Sequence, residues 1–135
     1  CAELAARNRA DEDLAELDRA NEAIADPEAD LAQFLQANLE WHLGVAVASH
    51  NELLAGFMIA LSQAIYAGTE NAALVDARVR AITAKTHRAI TTAIRVRDMG
   101  AAGRRMRRHV HSYAAALALS DARDAVVVRQ PAVGE

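Results

Sequence analysis

An all-α fold, an antiparallel bundle of about six helices, is what this sequence predicts. Three observations carry that expectation. Hydrophobic residues make up 53% of the 135 residues, much of it alanine, while aromatics are only 4%. Small side chains at that density favour closely packed helices over a sheet sandwich, which draws on β-branched and aromatic residues. Apolar residues also recur at helical spacing along most of the chain. Only two prolines and six glycines interrupt the pattern. The length suits one domain with one core.

Taken in order, residues 2–9 read as the end of a helix. Asp11 is a plausible N-cap for the next, with Leu14, Leu17, Ala20 and Ile24 on its inner face. Asp26-Pro27 gives a second start signal, a cap followed by proline in the first turn. The helix expected there covers residues 27–49, with Leu31, Phe34, Leu35, Asn38, Trp41, His42 and Val45 on one broad face. Ser49-His50-Asn51 breaks it, and Asn51 can cap a fourth helix over 52–67, which Ala67-Gly68-Thr69 ends.

A fifth helix is expected over 72–97, with Leu74, Val75, Val79, Ile82, Ile90 and Ile94 spaced for burial. Asp98 is a good N-cap for the sixth, over 99–119, although Gly100 and Gly103 weaken its first turns. Its inner face is read as Met106, His109, Val110, Tyr113 and Leu117. Residues 1–120 then form the domain and 121–135 a C-terminal tail, in which Val126-Val127-Val128 is read as a short extended segment.

Charge and composition narrow the function classes. A net charge of −3 argues against nucleic-acid binding by this piece alone. The single Cys1 cannot form an internal disulfide, so a reducing, cytoplasmic compartment is expected. The most apolar stretch, residues 53–67, is shorter than the ~20 residues a membrane span needs, and it holds Ser62 and Gln63. The chain starts without a methionine and already in helical rhythm, which suggests a fragment with its upstream part missing.

One constellation carries chemistry. Asn38 and His42 are four residues apart, so a helix points them the same way, one turn apart. His87 and His109 lie beside the apolar faces of two later helices. Were the three helices to pack side by side, three imidazoles and one amide oxygen could converge inside the bundle, and neutral imidazoles are the usual ligands of zinc-type ions. The alternative for each histidine is a ring satisfied by a neighbour or partly solvated, and for Asn38 a buried amide bonded to His42 or to water. His111 should face away from His109, and His50 at a helix junction should be exposed. Glu40 also points elsewhere, so no acid is placed as a general base. The basic run Arg104, Arg105, Arg107 and Arg108, extended by Arg88, Arg95 and Arg97, reads either as a solvated face or as a contact surface for an acidic partner or sister subunit.

Three stretches resemble a known family. They are Asn38-Leu39-Glu40-Trp41-His42 followed by Ala48-Ser49-His50-Asn51-Glu52-Leu53-Leu54, the stretch from His87 through Ile90, Ala93 and Ile94 to Asp98, and Met106-Arg107-Arg108-His109-Val110. Together with Ala10 to Leu17, they resemble the effector-binding FCD domain at the C-terminus of FadR-subfamily, GntR-type bacterial transcription regulators, over residues 1–115. That family shows Asp-x-x-Phe-His, His-x-x-Ile-x-x-Ala-Ile-x-x-x-Asp and Met-x-x-His-Leu in the same order.

The resemblance implies a helical bundle enclosing a pocket, and a divalent ion, zinc or nickel, held by His42, His87 and His109 with Asn38 in the place of the family's aspartate. It implies a small carboxylate effector on or beside the ion, for which Met58, Ser62, Gln63, Thr86, Thr91 and Tyr113 are candidate walls. It also implies a homodimer, no membrane, and DNA contact only through an N-terminal winged helix-turn-helix domain that this chain lacks. An arginine usually found early on the first helix, which helps hold the effector, is missing too. A metabolite sensor and not an enzyme is therefore expected. The rival readings are a metal-dependent hydrolase, for which no proton-moving group is placed, and a metal-free bundle that only dimerises.

Overall fold

The computed structural model describes residues 1–69 and 76–127; within its helices the side chains of 63–65, 67–69, 114 and 116–127 lie outside the description. Six helices follow one another: α1 (Ala2–Asn8), α2 (Asp11–Ala25), α3 (Leu31–Val47), α4 (Glu52–Thr69), α5 (Ala77–Arg95) and α6 (Met99–Val127). The described residues include no strand. Helix α3 packs on α2 and α4, α2 on α5, and α5 on α6; α1 closes the arrangement against α6, α5 and α3. The all-α bundle expected from composition and spacing is what forms.

Alanine sets the spacing of the helices. Ala2, Ala5 and Ala6 on α1 and Ala102 on α6 are all buried. Gly103 is buried where α1 crosses, and a Cβ there would run into the Glu3 side chain. The two helices approach this closely only because neither carries a large side chain at the crossing. The larger core residues, Leu17, Ile24, Phe34, Leu35, Trp41, Ile90 and Ile94, come from α2, α3 and α5.

Several helix boundaries differ from the sequence reading. Asp11 is the first helical residue and not the cap: Ala10 is the N-cap, and its backbone N–H donates to Asp13 Oδ2 at 2.8 Å. Asp26-Pro27 does not start α3. Asp26 ends α2 and accepts from the Glu28 N–H, and α3 begins four residues later on a reciprocal pair between Asp30 and Gln33, both bonds 2.8 Å. Helix α5 starts at Ala77 with Asp76 as its cap, not at 72; Leu74 and Val75 lie outside the described residues. The caps at Asn51 and Asp98 form as expected, accepting from the Leu54 and Ala101 N–H groups.

Helix α6 does not stop at 119. It runs on to Val127, so Val126 and Val127 are helical and not extended, while Val128 falls outside the described residues. The stretch 114–125 is Ala, Leu, Asp and Arg apart from Ser120, and nothing in it breaks a helix.

The turn between α5 and α6 places Arg97 at φ 59°, where a glycine is usual. Its side chain gives the reason: the two guanidinium nitrogens donate to the carbonyls of Arg7 and Arg9, at 2.7 and 3.1 Å, and so hold the open end of α1. Arg9 in turn donates to Arg95 O at 2.8 Å.

Other expected core positions are exposed. Val79 and Ile82 on α5, and Val110 and Tyr113 on α6, are all solvent-facing, and Leu117 lies outside the described side chains. Their spacing is helical, but the faces they mark are not covered by the described residues. Helix α4 is apolar nearly all round and packs mainly on α3. Leu53, Phe57 and Leu61, each four residues apart, form an exposed ridge along it, with Leu53 82% and Phe57 61% exposed.

Candidate metal centre

Three helices supply the site. Helix α3 carries Asn38, Trp41 and His42, α5 carries His87 and Thr91, and α6 carries His109. The packing of α5 on both α2 and α6 brings His87 into the interior, where it is fully buried. His42 and His109 are half-buried.

The three rings meet. Nε2 of His87 lies 3.0 Å from Nε2 of His109, and that atom lies 3.5 Å from Nε2 of His42. One ligand nitrogen from each ring falls within 4.8 Å of the others. A tetrahedral ion with bonds of about 2.0–2.1 Å separates its ligand nitrogens by about 3.3 Å, and an octahedral one brings neighbours to about 3 Å. The nitrogens are thus spaced as ligands of one ion are spaced.

The chemistry of the donors agrees with the spacing. Burial, together with the neighbouring His109 ring, pushes the His42 imidazole down to about 3. Burial also holds His87 well below the usual imidazole range, helped by the charges His42 and His109 would carry, and burial lowers His109. All three are therefore neutral at pH 7, the protonation state in which an imidazole nitrogen can bind a metal. Without an ion, a facing pair of nitrogens can bond to one another only if one carries the N–H and the other the lone pair. The residues present fit a divalent metal ion.

His87 is held by stacking and not by a carboxylate. Its ring lies 3.7 Å from that of Trp41, centroid to centroid, with 10° between the planes. Its Nδ1 is buried and has no hydrogen-bond partner among the described residues. The Trp41 indole N–H donates to Thr91 Oγ1 at 3.0 Å, and Asn21 Nδ2 donates to the same oxygen at 2.9 Å. This Asn21–Thr91–Trp41 chain fixes the plane against which His87 lies. Nothing in the spacing of the sequence marked Asn21. Trp41 was legible as an inner-face residue, but its contact with His87 needs two helices in register. Replacing Trp41 with Phe keeps a ring for the stack, removes the indole donor and leaves a space in the core, so stability falls by at least about 1 kcal/mol. Urea unfolding measures it; an unchanged midpoint would show that neither the bond nor the filled space stabilises the fold.

Asn38 is buried one turn before His42, and its side chain has no hydrogen-bond partner among the described residues. The other sequence candidates spread out. Met58 and Ser62 are half-buried on α4, and the side chain of Gln63 lies outside the description. Thr86 bonds back to Ile82 O within its own helix. Thr91 is buried and occupied by Asn21 and Trp41, and Tyr113 is exposed. His50, His111 and Glu40 are exposed. His50 contacts Asp13 at 2.8 Å, and Glu40 accepts from Gln36.

Two surface grooves lie elsewhere. One, of about 600 Å³, is lined by Ile24, Pro27, Arg80, Lys85 and Arg88 among others. The second, of about 450 Å³, runs between α2 and α3 past Gln33, Gln36 and Glu40. None of the three histidines lines either groove.

Much of the basic run belongs to the fold. Arg107 pairs with Glu3 and Arg95 with Asp18, and Arg105 bonds to Ala89 O. With Arg97 holding the end of α1, four of these seven arginines tie helices together.

The model of the FCD domain matches residues 1–112. The chain belongs to the FCD family. FCD is the C-terminal domain of GntR-family regulators, and the match points to an effector-binding regulatory role. A search of the curated proteins gives no match. Among the described residues of this FCD domain, no helix is long and apolar enough to cross a membrane.

Proposed function

We propose that this FCD domain is the sensing and dimerisation part of a FadR-subfamily regulator, and that it binds a small carboxylate metabolite at or beside a divalent ion, zinc or nickel. His42, His87 and His109 would hold the ion, with Asn38 as a fourth ligand or as a support beside them. The convergence of three neutral imidazole nitrogens at ligand spacing carries this reading. The bound ion would supply a fixed positive charge and an open position for a carboxylate oxygen. The chain's own part is to aim three lone pairs at one point, to hold them neutral by burial, and to brace His87 on Trp41. Met58, Ser62, Gln63, Thr86 and Tyr113 are the proposed walls of the effector pocket, with Thr91 bracing Trp41. Residues 1–120 would make the domain and 121–135 a tail, and the regulator would work in the cytoplasm.

Sensing needs the effector to bind one arrangement of the helices better than another. A shift among α3, α5 and α6 would change the spacing of two DNA readers attached upstream in a homodimer, since DNA is contacted only through those readers. Metal analysis of protein purified without chelator tests the centre: about one equivalent of zinc or nickel is expected.

Asn38 gives a sharper test. A neutral amide binds a divalent cation more weakly than a carboxylate does, so Asn38→Asp should raise zinc affinity by about tenfold or more, equivalent to ~1.4 kcal/mol. Calorimetry on the metal-free forms reads this directly, and equal affinity in the two proteins would rule out a position for Asn38 near the ion.

The exposed ridge Leu53–Phe57–Leu61 on α4 is the proposed dimer face. A helix apolar on every side is ordinarily covered on every side, and α4 is covered mainly by α3. Phe57→Asp should leave helicity unchanged, because Phe57 is 61% exposed, and convert the dimer to monomer by light scattering. A variant that remains dimeric moves the interface elsewhere.

A further inference from the structure

Among the described residues no acid stands at the three-histidine cluster, and that sets how an ion there would be held. The three ring nitrogens are uncharged donors, and Asn38, one turn before His42, would add only an uncharged amide. Among the described residues, the buried polar side chains are Asn21, Asn38, Ser49, His87 and Thr91, and none is an acid. The nearest acid in sequence, Glu40, is exposed and bonded to Gln36. Asp13 and Asp18 are turned to His50 and Arg95. Among the described residues it is burial and the neighbouring rings, not a carboxylate, that shift the three imidazoles. Arg108, next to His109 in sequence, is exposed and has no ion-pair partner among the described residues, so the flank of α6 adds positive charge and not negative.

We propose that the divalent ion and a doubly charged carboxylate ligand are mutually dependent at this centre, so that each binds well only with the other and the domain responds to their joint presence. The inference rests on the metal reading above and goes beyond it. A divalent ion in a partly buried cage of neutral donors keeps its whole charge in a medium that screens poorly. A dianion removes that charge; a monoanion leaves half of it; a neutral ligand leaves all of it. Because coupling between two ligands is reciprocal, the factor by which the dianion tightens the ion is also the factor by which the ion tightens the dianion. Where a protein carboxylate stands among the ligands, part of this work is already done and the coupling is weaker.

The experiment is a set of calorimetric titrations of zinc into the metal-free 135-residue chain. One is done without added carboxylate, one with acetate and one with succinate, each corrected for the zinc that the anion binds in solution. Succinate should lower the zinc dissociation constant by tenfold or more, and acetate by no more than about threefold, within the range of known coupling factors. Succinate titrated into zinc-loaded and metal-free protein should show the same factor. In Asn38→Asp, zinc should bind more tightly without anion, and the succinate effect should shrink. Zinc that binds tightly and equally in all three conditions overturns the mutual dependence while leaving the metal centre standing. Zinc that fails to bind in every condition removes the metal centre and this inference with it. Equal effects of acetate and succinate overturn the charge argument.

Discussion

Replacing His87 with alanine is expected to reduce zinc affinity by more than about 100-fold while leaving the helices formed. Outer groups that only orient a ligand already change metal affinity by 10–100-fold, and His87 would be a ligand itself, with Nε2 3.0 Å from that of His109. It is also the fully buried member of the set and the one braced by Trp41. Loss of the ring opens a space beside Trp41, so the metal-free protein should lose about 2 kcal/mol of stability, below the usual range for a large aromatic truncated in a core. His109→Ala should show a similar drop in zinc affinity with a smaller stability change, because His109 is only half-buried. Comparing the two by calorimetry and urea unfolding separates ligation from packing. Zinc affinity within threefold of the parent in His87→Ala would sink the three-histidine centre.

The residues that made this centre legible in the sequence are those whose neighbours lie on their own helix. Asn38, Trp41 and His42 fall on one face because helical geometry puts them there, and the caps at Asn51 and Asp98 are local chemistry that no distant contact overrides. What could not be read is the outcome of competing local signals, and whatever depends on a second helix. Asp26-Pro27 satisfied the rule for a helix start, yet the reciprocal Asp30–Gln33 pair four residues later offered two bonds where Asp26 offered one, and α3 began there. Val79, Ile82 and Val110 are spaced like core residues because an apolar face looks the same whether this chain or another molecule covers it. The brace on His87 was hidden for the same reason: Asn21, Trp41 and Thr91 come from three helices, and only their packing brings them to one oxygen. The three histidines were legible because a resemblance supplied the register that spacing alone left open.

Acid is expected to unfold the metal-free domain, and the cause lies in the same three rings. In the unfolded chain each histidine titrates near 6.5. In the folded chain burial lowers all three, His42 to about 3. Above pH 6.5 the rings are neutral in both states and contribute nothing to the pH dependence. Below it the unfolded chain takes up protons that the folded chain refuses, so stability falls with falling pH, by up to about 1.4 kcal/mol per unit for each ring. His87 and His109 shift stability in the same direction as His42. For His42 the loss between pH 6.5 and 4.5 is up to about 2.5 kcal/mol, an upper limit because His42 keeps a wet edge. That compares with the ~5–15 kcal/mol of a whole small domain. Urea unfolding at pH 7.5, 6.5, 5.5 and 4.5 should give a level first step and a steep decline after it, and His42→Gln should make the decline shallower. With zinc bound the decline should be steeper still, since protonation of the ligands also releases the ion. A stability that stays level from pH 6.5 to 4.5 would mean that the rings meet water as freely when folded as when unfolded, and then no dry, neutral cage exists for an ion to enter.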